Sequence, residues 1–390
     1  DRVFSPNGSA VSVQGVTEGY TDSECYRLTF SDGSVLVAGA GHRWQVFQKI
    51  KHRVENSTRR RIEIVEHDVS TKDMLAKGRW DVGTCDPLIH SVKQLPIHPY
   101  VLGAWLGDGH SAGGRITGID DEIFERIESL GYRLSRPNVI SRNVYGMVPL
   151  LRELGVLNSK KIPSIYLESS IPQRMELLRG LMDTDGHCNT RGTATFTNEN
   201  ESLSRQVYDL AAGLALQPHI RRHSFKSDAK KAVGGRYWFW QVSFQAHKDR
   251  NPFFLSRKAA RAIDTSHYYG NRTLSRIEKI PSVPTRCIQV EGGLYLAGRQ
   301  LVPTRNSTTI TFGKTIQDIL IDPEVTVGIF SHTRPIAKAF LRMIMRELES
   351  NEVLHQAFPD VLWGMDTRQA QKWSEDDGII VRRKSNPNEA

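Results

Sequence analysis

The feature that most constrains this chain is a short acidic motif that occurs twice. "VLGAWLGDG" runs from Val101 to Gly109 and "LRGLMDTDG" from Leu178 to Gly186; each is an apolar helical stretch that ends in Asp-Gly and is followed by His. Each copy leads into a stretch with strand character and then a second helical pattern, "DDEIFERIESLGY" in the first and "NESLSRQVYDLAAGLAL" in the second. A repeat of this kind predicts two supersecondary units built alike. Small residues inside the helices, Gly103, Ala104, Gly107 and Gly180, allow the two backbones to approach closely. Packed side by side, the helices would bring Asp108 and Asp185 together at their C-terminal ends. Two carboxylates at one point repel unless a divalent cation sits between them. One Asp-Gly alone is more often a plain helix end; two copies in register favour the acid pair.

The rest of the composition narrows the chemistry. The formal charge is +9 and the pI about 9.4, which suits a polyanionic partner. Four widely spaced cysteines without a C-x-x-C pair argue against a zinc site or a disulfide scaffold and fit a reducing compartment. No stretch is long and apolar enough to read as a membrane span. The segment "HIRRHSFKSDAKKAVGGRYWFWQVSF" interleaves Arg221, Arg222, Lys226, Lys230, Lys231 and Arg236 with strand-like aromatics. Cations there would contact phosphates, and a two-stranded ribbon fits the major groove of duplex DNA. A solvated hairpin with a buried aromatic face is the alternative for any single one of these residues. Beside a phosphodiester, the acid pair could hold Mg²⁺, activate water and stabilise the leaving oxygen.

On these two motifs, residues 96–260 resemble the LAGLIDADG homing endonucleases, and "KKIPSIYLESSIPQRMELLRGL" resembles the family's linker block. The resemblance implies an α/β fold of two pseudo-symmetric repeats, each laying a β-sheet saddle over double-stranded DNA. It makes Asp108 and Asp185 the Mg²⁺-binding acids and Lys160 a catalytic lysine near the scissile phosphate. Gly107 stands where many relatives carry Ala. Both repeats lie in one chain, so a monomer is expected.

The flanks read differently. "CYRLTFSDGSVLVAG" alternates apolar and polar residues around the turn signal Ser31-Asp32-Gly33 and predicts a hairpin. Short strands return between about Arg261 and Asn306. "GHRWQV" (Gly41 to Val46) and "RCIQVEGGLYLAGRQLVPTRNS" (Arg286 to Ser307) resemble the splicing blocks of inteins. That resemblance implies an all-β splicing (Hint) domain in two parts, residues 1–95 and 261–306, with the endonuclease inserted between them. His42 would polarise the upstream scissile amide. Asn306 would cyclise onto its own carbonyl and break the bond to Ser307, whose hydroxyl would first accept the upstream acyl group. Cys287 would orient groups or relay protons between the two junctions. Arg305 departs from the family, which carries His there; a guanidinium donates hydrogen bonds but cannot exchange protons. The family's first nucleophile, with its upstream host segment, is expected to lie outside a chain opening "DRVF", which leaves only C-terminal cleavage.

From Ser307 the pattern changes to a helix ("TIQDILI"), a buried strand ("VTVGIFS") and a long amphipathic helix ("PIAKAFLRMIMRELESNEVL"). Residues 307–390 resemble the ATPase part of a phage terminase large subunit, with Ser307 as the Mg²⁺-binding Ser of a phosphate loop begun upstream. "FGKT" (Phe312 to Thr315) reads as a decoy on the following helix. The expected whole is a multidomain α+β chain: a split splicing domain, an inserted endonuclease and an incomplete α/β P-loop piece. It would cut an intein-less copy of its host gene in the cytoplasm of a phage-infected bacterium. A silent DNA-binding remnant and an ATPase fragment are the rival readings.

Overall fold

The computed structural model describes residues 1–16, 19, 21–53, 60–136, 140–226, 233, 235–264, 271–305, 308–328, 334–363, 370 and 372–383. Contacts divide the chain into two units. The first holds Asp1–Ser12, Ser23–Val283 and Leu294–Arg305; the second holds Val13–Asp22, Pro284–Gly293 and Asn306–Ala390.

Along the chain, β1 (Arg2–Phe4) pairs with the start of β2 (Ala10–Val16). β3 (Cys25–Phe30) and β4 (Val35–Gly39) form the expected hairpin, with Gly33 at φ +76° in its turn. Two long strands, β5 (Arg43–Arg53) and β6 (Arg60–Ser70), pair along their whole length, and the short β7 (Asp81–Gly83) pairs with β5. Far downstream, β14 (Asn271–Ile280) enters this sheet between β3 and β7, giving the order β4-β3-β14-β7-β5-β6. One sheet therefore draws strands from both sides of the inserted segment. Leu28, Phe30, Trp44, Val46 and Val82 fill its core together with Val302 from β17 (Val302–Arg305), which pairs with β16 (Leu294–Ala297). β15 (Ile288–Val290) lies between these segments in sequence.

The inserted segment is built around two helices, α1 (Pro99–Asp108) and α5 (Ile171–Thr184). Pro99 and a His98 side chain that accepts from the Tyr100 amide start α1; a Ser170–Gln173 capping box starts α5. Nearly every residue of α1 is buried, so its apolar character all round reflects packing on all sides. The two helices touch through backbone. A Cβ on Gly103 would run into the Leu177 carbonyl, one on Gly180 into the Tyr100 carbonyl, and one on Gly107 into the Thr184 hydroxyl.

Each repeat continues as strand, helix, strand, but unequally. The first has β8 (Arg115–Thr117), α2 (Asp121–Ser129), β9 (Ser141–Asn143) and α3 (Met147–Glu153), with β8 and β9 forming a two-stranded pair. After α4 (Ser164–Leu167), the second repeat adds β10 (Gly186–Cys188), β11 (Thr193–Asn198), α6 (Glu201–Gly213), β12 (His219–Lys226) and β13 (Arg236–Gln245) to α5. These four strands make a sheet of order β10-β11-β13-β12. A short α7 (Ser256–Ala259) closes the segment.

In the second unit the end of β2 pairs with β15, Val16 opposite Ile288. Its helices are α8 (Thr308–Ile321), α9 (Arg334–Ser350) and α10 (Glu352–Ala357), packed on a cluster that includes Ile316, Leu320, Ile344 and Leu348. "FGKT" lies inside α8. The long helix expected after Pro335 breaks at Asn351, whose side chain accepts from the Val353 and Leu354 amides and starts α10. Residues 325–328, the described part of the expected strand "VTVGIFS", are not a strand. A buried strand needs a neighbour for its N–H and C=O groups, and none pairs with these residues among those described.

The glycine contact yields a test. Gly180→Ala forces a methyl into the Tyr100 carbonyl and is expected to cost about 1–3 kcal/mol, seen as an earlier urea midpoint. An unchanged midpoint would mean that the helices do not meet there.

Candidate active site

The helix contact decides what lies at its end. α1 stops at Asp108, where the Gly109 amide donates back to the Trp105 carbonyl at 2.8 Å; α5 stops one residue before Asp185, whose amide donates to Leu181 at 3.0 Å. The two carboxyl groups come close enough to influence each other's titration. Asp185 is partly buried, and desolvation followed by the nearby Asp108 charge raises its pKa to about 6. Asp108 keeps one side open to solvent, yet loss of hydration on the other raises its pKa as well, against the pull of Lys160 and Lys258. Below about pH 6 a proton on Asp185 relieves repulsion that a divalent cation would otherwise relieve.

Lys160 joins the pair. Its Nζ donates to the Gly107 carbonyl at 2.6 Å and lies 5.6 Å from the Trp105 ring centre. Burial lowers its pKa, while Asp185 and Asp108 hold it up. The structure thus brings together Asp108, Asp185 and Lys160, which are far apart in sequence.

Two further residues at this site escape a reading of the motifs alone. Asn198, at the end of β11, donates to Asp185 Oδ2 at 2.7 Å and fixes the carboxylate's orientation. Two residues on, Asn200 caps α6 and donates to the Lys160 carbonyl at 3.2 Å, so "TNEN" ties Asp185 and Lys160 to one turn. Lys258, only 6% exposed, spreads its Nζ over the carbonyls of Met182, Asp183 and Gly186 at 2.9, 2.6 and 2.6 Å. It satisfies the C-terminal end of α5, and burial lowers its pKa to about 8. Asp183, inside the second motif, is structural: it accepts from Tyr100 Oη at 2.9 Å and from the Phe254 and Leu255 amides.

The four-stranded sheet has two unlike faces. Ala194, Phe196, Val242 and Phe244 are buried against the helices, so Thr195, Thr197, Gln241 and Ser243 alternate onto the other face. Register places Arg221 opposite Gln241 on this polar face, with His223, Phe225, Tyr237 and Phe239 beyond it. Arg222 falls on the helix-side face and stacks 4.2 Å from the Trp238 ring centre. Arg236 donates to Ser224 Oγ at 2.8 Å, opposite Lys226 in register. The expected basic set is therefore divided between the two faces, and Lys230 and Lys231 lie outside the described residues.

A second cluster occupies the other sheet. His42 Nε2 bonds to the Thr304 hydroxyl, its ring stands edge-on to Trp44 at 5.1 Å, and burial lowers its pKa to about 4. Arg305 pairs with Asp68 at 3.3 Å, and the same carboxylate holds Arg43 at 3.2 Å. Cys287, a partly buried thiol, belongs to the second unit. Asn306 and Ser307 lie outside the described residues.

Comparison with known proteins agrees with part of this. Residues 172–241 match the family described as a LAGLIDADG-like domain, a span that holds α5, Asp185 and most of the four-stranded sheet. A curated relative, the replicative DNA helicase DnaB of Mycobacterium intracellulare, is 32% identical over 332 residues, covering 79% of this chain and 54% of the relative. The chain spans about half the length of that relative. That protein is named a helicase, so it lends no support to a terminase.

The donor set suits Mg²⁺. Among the described residues no cluster of three or more His, Cys, Asp or Glu side chains exists, but two convergent carboxylates are enough for an ion that keeps waters and takes substrate phosphates as ligands. A raised Asp185 pKa means that the folded chain holds a proton the unfolded chain has lost between about pH 4 and 6. Stability from this group is full below about pH 4 and lost as pH rises through about 6. Asp185→Asn should therefore melt higher than the parent at pH 7.5, by about 2–4 °C for each kcal/mol relieved, with the gap closing at pH 4. Mg²⁺ should raise the parent's Tm at pH 7.5 and leave the variant's unchanged; equal responses would remove the acid pair as the ion's seat.

Proposed function

We propose that the inserted segment is a homing endonuclease that cuts double-stranded DNA at a defined site. The observation that carries this reading is the meeting of Asp108, Asp185 and Lys160 at the ends of two helices that touch through glycine. The polar face of the four-stranded sheet supports it, since Thr, Gln, Ser and Arg side chains in alternation suit base edges in a major groove. Asp108 and Asp185 would hold the Mg²⁺. When bound, that ion would supply charge neutralisation at the scissile phosphate and a more acidic water. Lys160, depressed by burial and aimed along the acids, would hold a proton or a developing oxyanion at the phosphate. Asn198 would keep Asp185 pointed at its work.

The same reading treats the flanks as an intein-type splicing domain. It is supported by β14 and β17, which complete a sheet and core begun by residues ahead of the insertion. His42 would act as a neutral imidazole, because burial keeps its pKa far below neutrality. Asn306 would cyclise and Ser307 receive the acyl group, with Cys287 assisting. Arg305, fixed to Asp68, would hold the end of β17 but move no proton.

An element of this kind can sit in unlike hosts. The helicase-named relative favours a helicase over a terminase as host, and the terminase reading has only the resemblance of residues 307–390 behind it.

Two measurements test the reading. A plasmid bearing the rejoined host sequence should be nicked by the parent with Mg²⁺, and Asp108→Asn or Asp185→Asn should lower the rate at least 100-fold. Undiminished nicking by either variant would overturn the acid assignment. For the junction, intact mass after incubation at neutral pH should show release of the piece beginning at Ser307 faster from an Arg305→His chain than from the parent. No release from either chain would remove the splicing reading.

A further inference from the structure

The turn between β16 and β17, residues 298–301, belongs to the segment that resembles a splicing block, yet it is seated on the DNA-cutting part. Arg299 grips Asp209 of α6 with two parallel bonds, Nε to Oδ1 at 2.5 Å and Nη2 to Oδ2 at 2.6 Å, and reaches the Arg205 carbonyl at 3.3 Å. Leu301 packs against the core around α1 and α5. Arg272, only 3% exposed, donates to the Gln300 and Leu301 carbonyls at 2.9 and 3.2 Å and pairs with Asp32 at 2.6 Å.

This turn does not hold its shape by local preference. Leu301 sits at φ +51°, a conformation that costs a residue with a side chain, and Gly298 at φ +69°. Partners outside the hairpin must stabilise it, and a planar guanidinium on a carboxylate fixes both distance and orientation. From the turn, β17 runs directly to Thr304, which is held by His42, and to Arg305, which is held by Asp68. Any slack at residue 299 shifts the strand that carries both contacts.

We propose that Arg299 and Asp209 are positioning residues for peptide release at the junction, so that helix α6 of the DNA-cutting part seats the splicing hairpin. This rests on the reading of Asn306 and Ser307 as a splice junction. Neither residue takes part in the acid site, which makes the two activities separable.

The test uses the full chain in the Arg305→His background, with Arg299→Gln, Asp209→Asn and the charge-exchanged pair Arg299→Asp with Asp209→Arg. Three quantities are read: hydrogen exchange of residues 294–305, release of the piece beginning at Ser307, and plasmid nicking. Each single change should speed exchange in the hairpin and slow release about five-fold, the equivalent of about 1 kcal/mol for a partly exposed ion pair. Nicking by each variant should stay within about two-fold of the Arg305→His parent, and the exchanged pair should restore both exchange and release. Unaltered exchange or release in the single variants would overturn the proposal, as would slow release that the exchanged pair does not restore. If no version releases a piece, the junction reading fails and takes the proposal with it; release that ignores the clasp removes the proposal alone.

Discussion

Everything in the inserted segment depends on two helix backbones in direct contact. With no Cβ at Gly103 or Gly180, α1 and α5 approach until carbonyl and Cα meet, and an ordinary side chain at either position would push them apart. Distance between the helices sets distance between their ends. A wider pair would leave Asp108 and Asp185 as two separate helix caps, each hydrated and unremarkable. Burial raises the pKa of both, and the Asp108 charge raises that of Asp185 further.

That arrangement is costly for the apo-protein, because helix C-termini already carry partial negative charge. The surrounding residues offset it in different ways. Lys258 neutralises the end of α5 by bonding three carbonyls, whereas Lys160 takes one carbonyl of α1 and stays beside the acids. Asn198 adds a directed bond without charge. The result is a site that favours binding of a cation or a proton.

The legible parts of the sequence were those with a strong period or a doubled motif. The two apolar helices, the Asp108–Asp185 meeting, Lys160 and the Ser31–Gly33 hairpin follow from local pattern or from the linker block beside the second motif. Asn198 and Lys258 were not legible, since their partners are remote in sequence and single polar residues carry no periodicity. "TNEN" does contain a helix-cap signal in Asn200, which could have flagged its neighbour. The basic ribbon misled in a different way: composition counted Arg221 and Arg222 together, but the two-residue period of a strand puts them on opposite faces. In residues 307–390, hydrophobic pattern alone suggested a strand at 325–331, and its described part, 325–328, has no partner strand among the described residues. Pattern also merged α9 with α10 across the Asn351 cap.

The central claim is that one divalent cation is held by both motif acids. It is tested most directly by anomalous diffraction from crystals of the chain with cognate duplex and Mn²⁺. The account predicts an anomalous peak within about 2.2 Å of a carboxylate oxygen from each of Asp108 and Asp185. A peak bound to one acid alone, or none between the two helix ends, would contradict it.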